Sequence, residues 1–461
     1  MSEMESQKSW KHETWSSRTT FLFAAVGAAV GLGNLWRFPY VAGENGGGAF
    51  ILLYIAFVFL LGLPIMAAEM VIGRRGHNSA VTSMNNLVKT ERLSPVWRTI
   101  GWLSLVIPFV GLSYYSVVAG WVMDYVWVAF AESFKAFGSD SSATIFASRT
   151  GDTTRQVIMH ALFIALTVAI VRRGVNRGIE MASKIMMPGL FILLIGLVIY
   201  NATALEVGST LSFLFTPDFS RLTTESVLMA LGQAFFSIAI GVGVMMTYSA
   251  YLPRNVSLPK SAATICAADT FVALLGGLAI FPIVFFYGLD AGAGPGLIFV
   301  TLPVAFGQMP GGHIVGTLFF LLLFFAAFTT AIGMLEPMVS WLEERTSHDR
   351  GRMTIAAGVV AWAIGLPSVL SFNAWSDFHP LGWFEKLSGM TSFDILDFLI
   401  ANFLLPLNAL LIALFVGWAL SEKASVEELG IGRGLRYQGW RSIVRFLVPV
   451  AIVGIIIDLW F

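Results

Sequence analysis

The chain has 461 residues, of which 56% are hydrophobic and only 12% charged, about half the charged share of ordinary soluble domains. Its mean hydropathy is +0.77, which excludes a string of soluble globular domains. Lys+Arg and Asp+Glu balance at 28 each, so net charge offers no footprint for nucleic acid. The composition predicts an all-α polytopic membrane protein with the lipid bilayer as its solvent.

The first 18 residues are polar and hold Lys8, Lys11 and Arg18, with no signal-peptide core. Apolar stretches of about 20 residues, the length of a span, then follow. They lie at 19–40, 49–73, 99–131, 156–171, 185–201, 226–252, 263–289, 313–342, 353–371, 394–419 and 442–461. The eleventh runs to Leu459-Trp460-Phe461. With the N-terminus inside, only Arg37, Lys135, Arg149, Arg155, Arg221 and Lys386 fall outside; every other Lys and Arg lies on an inner segment. The positive-inside bias therefore predicts a cytoplasmic N-terminus, an extracellular or periplasmic C-terminus, and residence in the cell (inner) membrane.

Two spans read badly as simple helices. The first contains Gly27-Ala28-Ala29-Val30-Gly31-Leu32-Gly33-Asn34, and the sixth Gly232-Gln233-Ala234-Phe235-Phe236-Ser237-Ile238-Ala239-Ile240-Gly241-Val242-Gly243. Each interior glycine costs up to about 1 kcal/mol relative to alanine. An isolated pair of glycines more often serves close helix packing. Here the disrupted spans lead two consecutive sets of five, and five spans reverse topology. Broken helices at matching positions of inverted halves point to a transport site at the bilayer midplane. The expected organisation is one transporter domain over 1–461, with inverted repeats at 19–201 and 226–419 and an extra helix at 442–461.

The run Gly31-Leu32-Gly33-Asn34-Leu35-Trp36-Arg37-Phe38-Pro39-Tyr40, followed by Glu44-Asn45-Gly46-Gly47-Gly48-Ala49-Phe50, closely resembles the first-helix signature of neurotransmitter:sodium symporters. Tyr114-Tyr115, Gly178, Pro188, Gln233 to Ser237, Phe328-Thr329-Thr330 and Asp397-Phe398 extend the resemblance along nearly the whole chain. It implies a LeuT-like fold of eleven transmembrane helices, a five-plus-five inverted repeat with helices one and six broken. The chain resembles bacterial members in lacking a twelfth span.

That resemblance implies sodium-coupled symport by alternating access, with two sodium sites. One site would use Ala29, Asn34, Ser237 and Asp269 with the substrate carboxylate; the other Gly27, Val30, Ala326, Thr329 and Thr330. Both sets are oxygen-only, as a hard cation requires. Thr329 and Thr330 have an ordinary alternative, bonding back to helix carbonyls. The substrate would meet Leu32, Gly33 and Tyr115 at its carboxylate. Its amino group would meet Ala29, Phe236, Ser237, Ala239 and Thr330, and Phe236 would close over it. Ala28, Gly111, Ala239, Val242 and Met334 would line the side-chain pocket.

Arg37 and Asp397 match the family's outer gate, and Trp15, Tyr251 and Glu344 its inner gate, with His12 beside Lys11 in place of the usual arginine. Glu69 and Gln233 would support the broken backbone. Asp269 is expected to supply the negative charge that chloride provides in animal members, so chloride would not be required. Gly31 stands where monoamine carriers have an aspartate, which disfavours dopamine and serotonin and leaves GABA and taurine open. The small Gly111 and Val242 favour large hydrophobic or aromatic amino acids.

A channel would show rings of repeated charge, and none is present in this asymmetric chain. An enzyme would need a catalytic pair or metal motif. There is no HExxH, and the histidines at 12, 77, 160, 313, 348 and 379 are dispersed. A non-transporting receptor is disfavoured by the intact ion ligands. The expected partners are a small amino acid and sodium ions, and a monomer would suffice.

Overall fold

A computed structural model describes residues 13–132, 134, 139–289, 296–346 and 348–460. The expectations that rest on Lys8, Lys11, His12, Lys135 and Phe461 lie outside these residues. Among the described residues the regular structure is helical, with no strand. This is the solution that lets a chain cross lipid with its backbone hydrogen bonds satisfied internally.

The long elements, in chain order, are α1 (Arg18–Ala29), α2 (Gly33–Glu44), α3 (Gly48–Gly76), α4 (Pro95–Ala131), α5 (Thr153–Val171) and α6 (Val175–Ala204). Then follow α7 (Thr224–Ser237) and α8 (Val244–Ala250). Last come α9 (Leu258–Phe286), α10 (Gly312–Arg345), α11 (Arg350–Leu370), α12 (Ser392–Ala419) and α13 (Leu435–Ile457). Among the described residues, nine helices are long and apolar enough to cross a bilayer, and the pair α1 and α2, bent by 53°, makes ten. The sixth apolar stretch, 226–252, is instead two helices of 14 and 7 residues around an irregular segment at 238–243. Neither piece alone reaches the length of a span.

Sequence patterning explains which helices are central. On α6, Ile185, Ile192 and Ile199 are 65%, 70% and 59% exposed, and their seven-residue spacing keeps them on one face. An apolar stripe left this open is a surface for lipid. By contrast, Ala25, Val30 and Phe21 around α1 are fully buried. α1 packs against α6, α9 and α10, while α10 lies along α4. The broken elements therefore sit inside a ring of helices whose outer faces meet lipid.

The helices overrun several predicted stretches. α6 starts at Val175 rather than near 185 because Arg177, Glu180 and Lys184 occupy its first turns, where side chains can reach the interface. Short helices at Ala80–Thr90, Ser139–Gly151 and Glu422–Leu429 lie between the long ones. They lie outside the apolar stretches that hydropathy picks out.

Candidate functional site

The break in the first helix runs from Val30, the cap of α1, to Leu32, the cap of α2. A methyl group on Gly31 would lie 2.8 Å from Thr330 Oγ1, and one on Gly33 would lie 2.9 Å from the Phe236 ring. Side-chain carbons do not approach so closely, so a larger residue at either position would require Thr330 or Phe236 to shift. The break between α7 and α8 depends on positive φ: +53° at Ala239, +77° at Gly241 and +91° at Gly243. Only glycine adopts this region without strain; Ala239 is held there against its preference.

Side chains from other helices take up the freed backbone groups. Glu69 of α3 accepts the N–H of Gly241 and of Met246, each at 3.2 Å. Asn408 of α12 donates to the Gly241 carbonyl at 2.7 Å and to Ser104 Oγ at 3.0 Å. Gln233 of α7 donates to the Gly33 carbonyl at 3.2 Å, tying one broken helix to the other.

Two groups of oxygens converge near the breaks. In the first, Asp269 accepts from Ser237 Oγ at 2.6 Å and from Asn34 Nδ2 at 2.8 Å, all three being buried. Tyr54 hydroxyl lies 2.9 Å from Ser237 Oγ and 3.3 Å from Asp269. Ala29 is buried at the end of α1, five residues before Asn34. Asn34 turns its oxygen to the Gly31 N–H at 3.2 Å. Rotating the amide would present that oxygen to a cation instead.

In the second group, Thr330 Oγ1 donates to the carbonyls of Gly27 and Val30, at 3.4 Å each. Thr329 Oγ1 bonds back to the carbonyls of Phe325 and Ala326 at 2.9 and 3.1 Å. Thr329 therefore makes the ordinary helix contact, with its hydroxyl beside the Ala326 oxygen. Among the described residues no three His, Cys, Asp or Glu side chains converge as a metal cluster. The available cation ligands are these hydroxyl, carbonyl, amide and carboxylate oxygens.

Above the breaks lies a cavity of about 300 Å³ lined by Leu32, Gly33, Tyr115 and Phe236 at one end and by Arg37 and Asp397 at the other. The Tyr115 hydroxyl is buried without a hydrogen-bond partner, 3.4 Å from where a methyl on Gly31 would sit. Arg37 does not pair with Asp397; its guanidinium lies 4.6 Å over the Phe236 ring. Gly31, Thr330 and Tyr115 form one contact group. Gly111 meets Met334, whose Cε stands 2.8 Å from where a Gly111 methyl would be. The space that glycine leaves is thus filled by a flexible side chain. Ala28 packs against Gly333. Ser237 ends α7 beside the break, Ala239 and Val242 belong to it, and Val242 is buried there without lining the cavity.

The opposite end is closed. Trp15 Nε1 donates to the Tyr248 carbonyl at 2.7 Å, and its ring packs on Tyr248 and Tyr251. Tyr251 hydroxyl donates to Glu336 at 2.9 Å, and Arg350 pairs with Glu336 at 2.5 Å and Glu343 at 2.9 Å. Glu344 accepts the Ser79 N–H at 2.6 Å and its hydroxyl; His12, its expected partner, lies outside the described residues.

Sequence reasoning missed Tyr54, Asn408, Glu336, Arg350 and Gly333. The signal for Glu336 and Asn408 was present as a lone charge and a lone amide within apolar runs, where each needs a partner.

Comparison with known proteins fits this geometry. The profile of the sodium:neurotransmitter symporter family matches residues 12–140 and 143–460. An uncharacterized sodium-dependent transporter of Bacillus subtilis, YhdH, is 39% identical over 449 residues, covering 96% of this chain and 97% of that protein. An uncharacterized sodium-dependent transporter of Haemophilus influenzae is 33% identical over 455 residues, covering 97% and 98%. The crystal structure of MhsT in complex with L-phenylalanine superimposes with a TM-score of 0.87 at 37% identity, covering 97% of this chain and all of that one.

Proposed function

The chain belongs to the sodium:neurotransmitter symporter family of sodium-coupled transporters, and we propose that it imports large hydrophobic or aromatic amino acids together with sodium. The observation that carries the carboxylate part of this reading is the buried Tyr115 hydroxyl of α4, which faces the helix break at Gly31 and makes no hydrogen bond of normal geometry there. The first N–H groups of a helix lack intrahelical partners and carry partial positive charge. A carboxylate placed between Tyr115 and the Leu32 and Gly33 amides would satisfy all three. The phenylalanine in the MhsT structure supports an amino acid of this kind.

In this reading Ala29, Phe236, Ser237, Ala239 and Thr330 surround the amino group, and Ala28, Gly111, Val242 and Met334 the side chain. Ala29, Asn34, Ser237 and Asp269 hold one sodium, and Gly27, Val30, Ala326, Thr329 and Thr330 a second. Sodium binding turns the Asn34 amide, which releases the Gly31 N–H beside Tyr115 and couples ion to substrate. Asp269 supplies the fixed negative charge, so chloride is not needed. The cavity leads to the outer face between Arg37 and Asp397, with Trp15, Tyr251 and Glu344 near the cytoplasmic end. The protein lies in the cell membrane with a cytoplasmic N-terminus, eleven spans and two inverted repeats, and a monomer contains every residue of the site.

The test is equilibrium binding of labelled L-phenylalanine to the purified chain, with competition by leucine, tryptophan, GABA and taurine. Binding that needs sodium, prefers the aromatic amino acids and weakens in Tyr115→Phe supports the reading. Preferential displacement by GABA or taurine assigns the site to a small zwitterion instead.

A further inference from the structure

On the closed end, away from the ion and substrate groups, lies a second cavity of about 540 Å³. Its lining includes Lys89 at the end of the short helix Ala80–Thr90, Arg98 at the start of α4, and Arg345 at the end of α10. None of these three cations makes an ion pair or hydrogen bond among the described residues, and the Nε of Arg98 is buried without any partner. Their neighbours are treated differently. Arg74 pairs with Glu428 at 2.8 Å, Arg75 with Glu427 at 2.6 Å, and Arg350 with Glu336 and Glu343. The cavity's one acid, Glu344, has its carboxylate on the Ser79 N–H and hydroxyl. Asn85 and Asn86 add neutral amide donors.

Among the described residues, three unpaired cations and two amides around one hollow face a single carboxylate, that of Glu344. Arg and Lys donors set around a cavity are the ordinary means of holding phosphate oxygens. The level in the membrane also matters. One turn beyond Arg98, Trp102 is 46% exposed and packs edge-on against Trp341, with ring centres 5.5 Å apart. Trp341 stands one turn before Arg345 on α10. Tryptophans grouped in this way belong to the headgroup level of a bilayer.

We infer that the hollow between Lys89, Arg98 and Arg345 binds a phosphate group, supplied by an anionic lipid headgroup or by free phosphate. The site shares no residue with the proposed ion and substrate ligands; Glu344 of the inner gate borders it, and the variant below leaves Glu344 unchanged. Bound phosphate would bridge the short helix after α3 to the adjoining ends of α4 and α10, the two helices that pack along each other through the core.

The experiment uses the full chain in detergent, titrated in separate arms with phosphatidylglycerol, phosphatidylcholine and inorganic phosphate. Lipid adducts are read by native mass spectrometry and stabilisation by thermal unfolding. The variant is K89Q/R98Q/R345Q. A control, R172Q/R173Q/R177Q, removes the same charge from exposed positions after α5 and in the first turn of α6. Preferential retention of phosphatidylglycerol that falls about a hundredfold in the variant but not in the control is the expected result for a lipid source. Stabilisation by inorganic phosphate with the same dependence on the variant, and no lipid preference, supports the site with free phosphate as its source. Equal binding by wild type and variant, equal loss in the control, or no binding in any arm overturns the proposal. If the triple variant does not fold, Arg98→Gln alone replaces it in the same comparison.

Discussion

The side-chain amide of Asn408 donates to the carbonyl of Gly241 at 2.7 Å, while Glu69 accepts the N–H of that same glycine at 3.2 Å. Both backbone polar groups of one residue at the helix break are thus held by side chains from other helices. An irregular segment at membrane depth is tolerated only when its backbone is satisfied in this way.

Asn408→Leu should therefore destabilise the fold without touching the cavity. Leaving a buried acceptor unpaired costs about 1–3 kcal/mol. The expected result is a lower midpoint of thermal unfolding in detergent together with reduced uptake. An unchanged midpoint would mean that the Gly241 carbonyl finds another donor.

Two glycines should respond oppositely to alanine. Gly243 has φ of +91°, and an added methyl would lie 2.5 Å from the Ser104 carbonyl oxygen. The backbone strain alone costs about 1–2 kcal/mol, so Gly243→Ala should give little monodisperse protein. Gly232, inside α7, has nothing within 4 Å of an added methyl. Gly232→Ala should extract normally, with up to about 1 kcal/mol of helix propensity gained. Yields after detergent extraction and gel filtration check both.

These positions show what was legible in the sequence. Three glycines and Asn34 within one span mark the first break, and Gly241 and Gly243 mark the second, because they recur at matching positions of two inverted halves, which close helix packing alone does not require. The partners that hold the breaks were harder to find. Asn408 lies 167 residues from Gly241, and Glu336 pairs with an arginine on the next helix. A sequence shows that such a group needs a partner but not which one the fold brings near. Side-chain direction was equally hidden: Thr329 turns back to its own helix, and Met334 fills the space beside Gly111. The start of α6 was placed late because charged side chains in its first turns lower the hydropathy of residues that are nevertheless helical.

Size selection should run through Gly111 and Met334. A methyl on Gly111 would press on the mobile end of Met334, 2.8 Å away, so Gly111→Ala should fold with a smaller pocket. Discrimination by pocket walls is worth about 1–3 kcal/mol. Competition binding should show tryptophan losing about tenfold against alanine. Equal losses for both would place the substrate side chain elsewhere.

Closure at the other end should depend on Arg350. Its guanidinium is paired with the fully buried Glu336, and removing one member of a buried pair costs about 3–5 kcal/mol. Arg350→Gln should raise hydrogen exchange across residues 13–29, which the Trp15 contacts to Tyr248 and Tyr251 hold in place. The double change Glu336→Met and Arg350→Met should exchange less than Arg350→Gln, because no fully buried charge is left stranded; Glu343, the other partner of Arg350, reaches solvent. Unaltered exchange in Arg350→Gln would show that the Trp15 contacts close this end without the ion pair.

The central claim is sodium-driven import of an aromatic amino acid, and its most direct test is uptake of labelled L-phenylalanine into proteoliposomes in chloride-free buffer. An inward sodium gradient should concentrate the label inside above the external level. Equal sodium on both sides, or potassium in its place, should abolish that accumulation. Accumulation that is the same without a sodium gradient, or that requires chloride, would contradict the account.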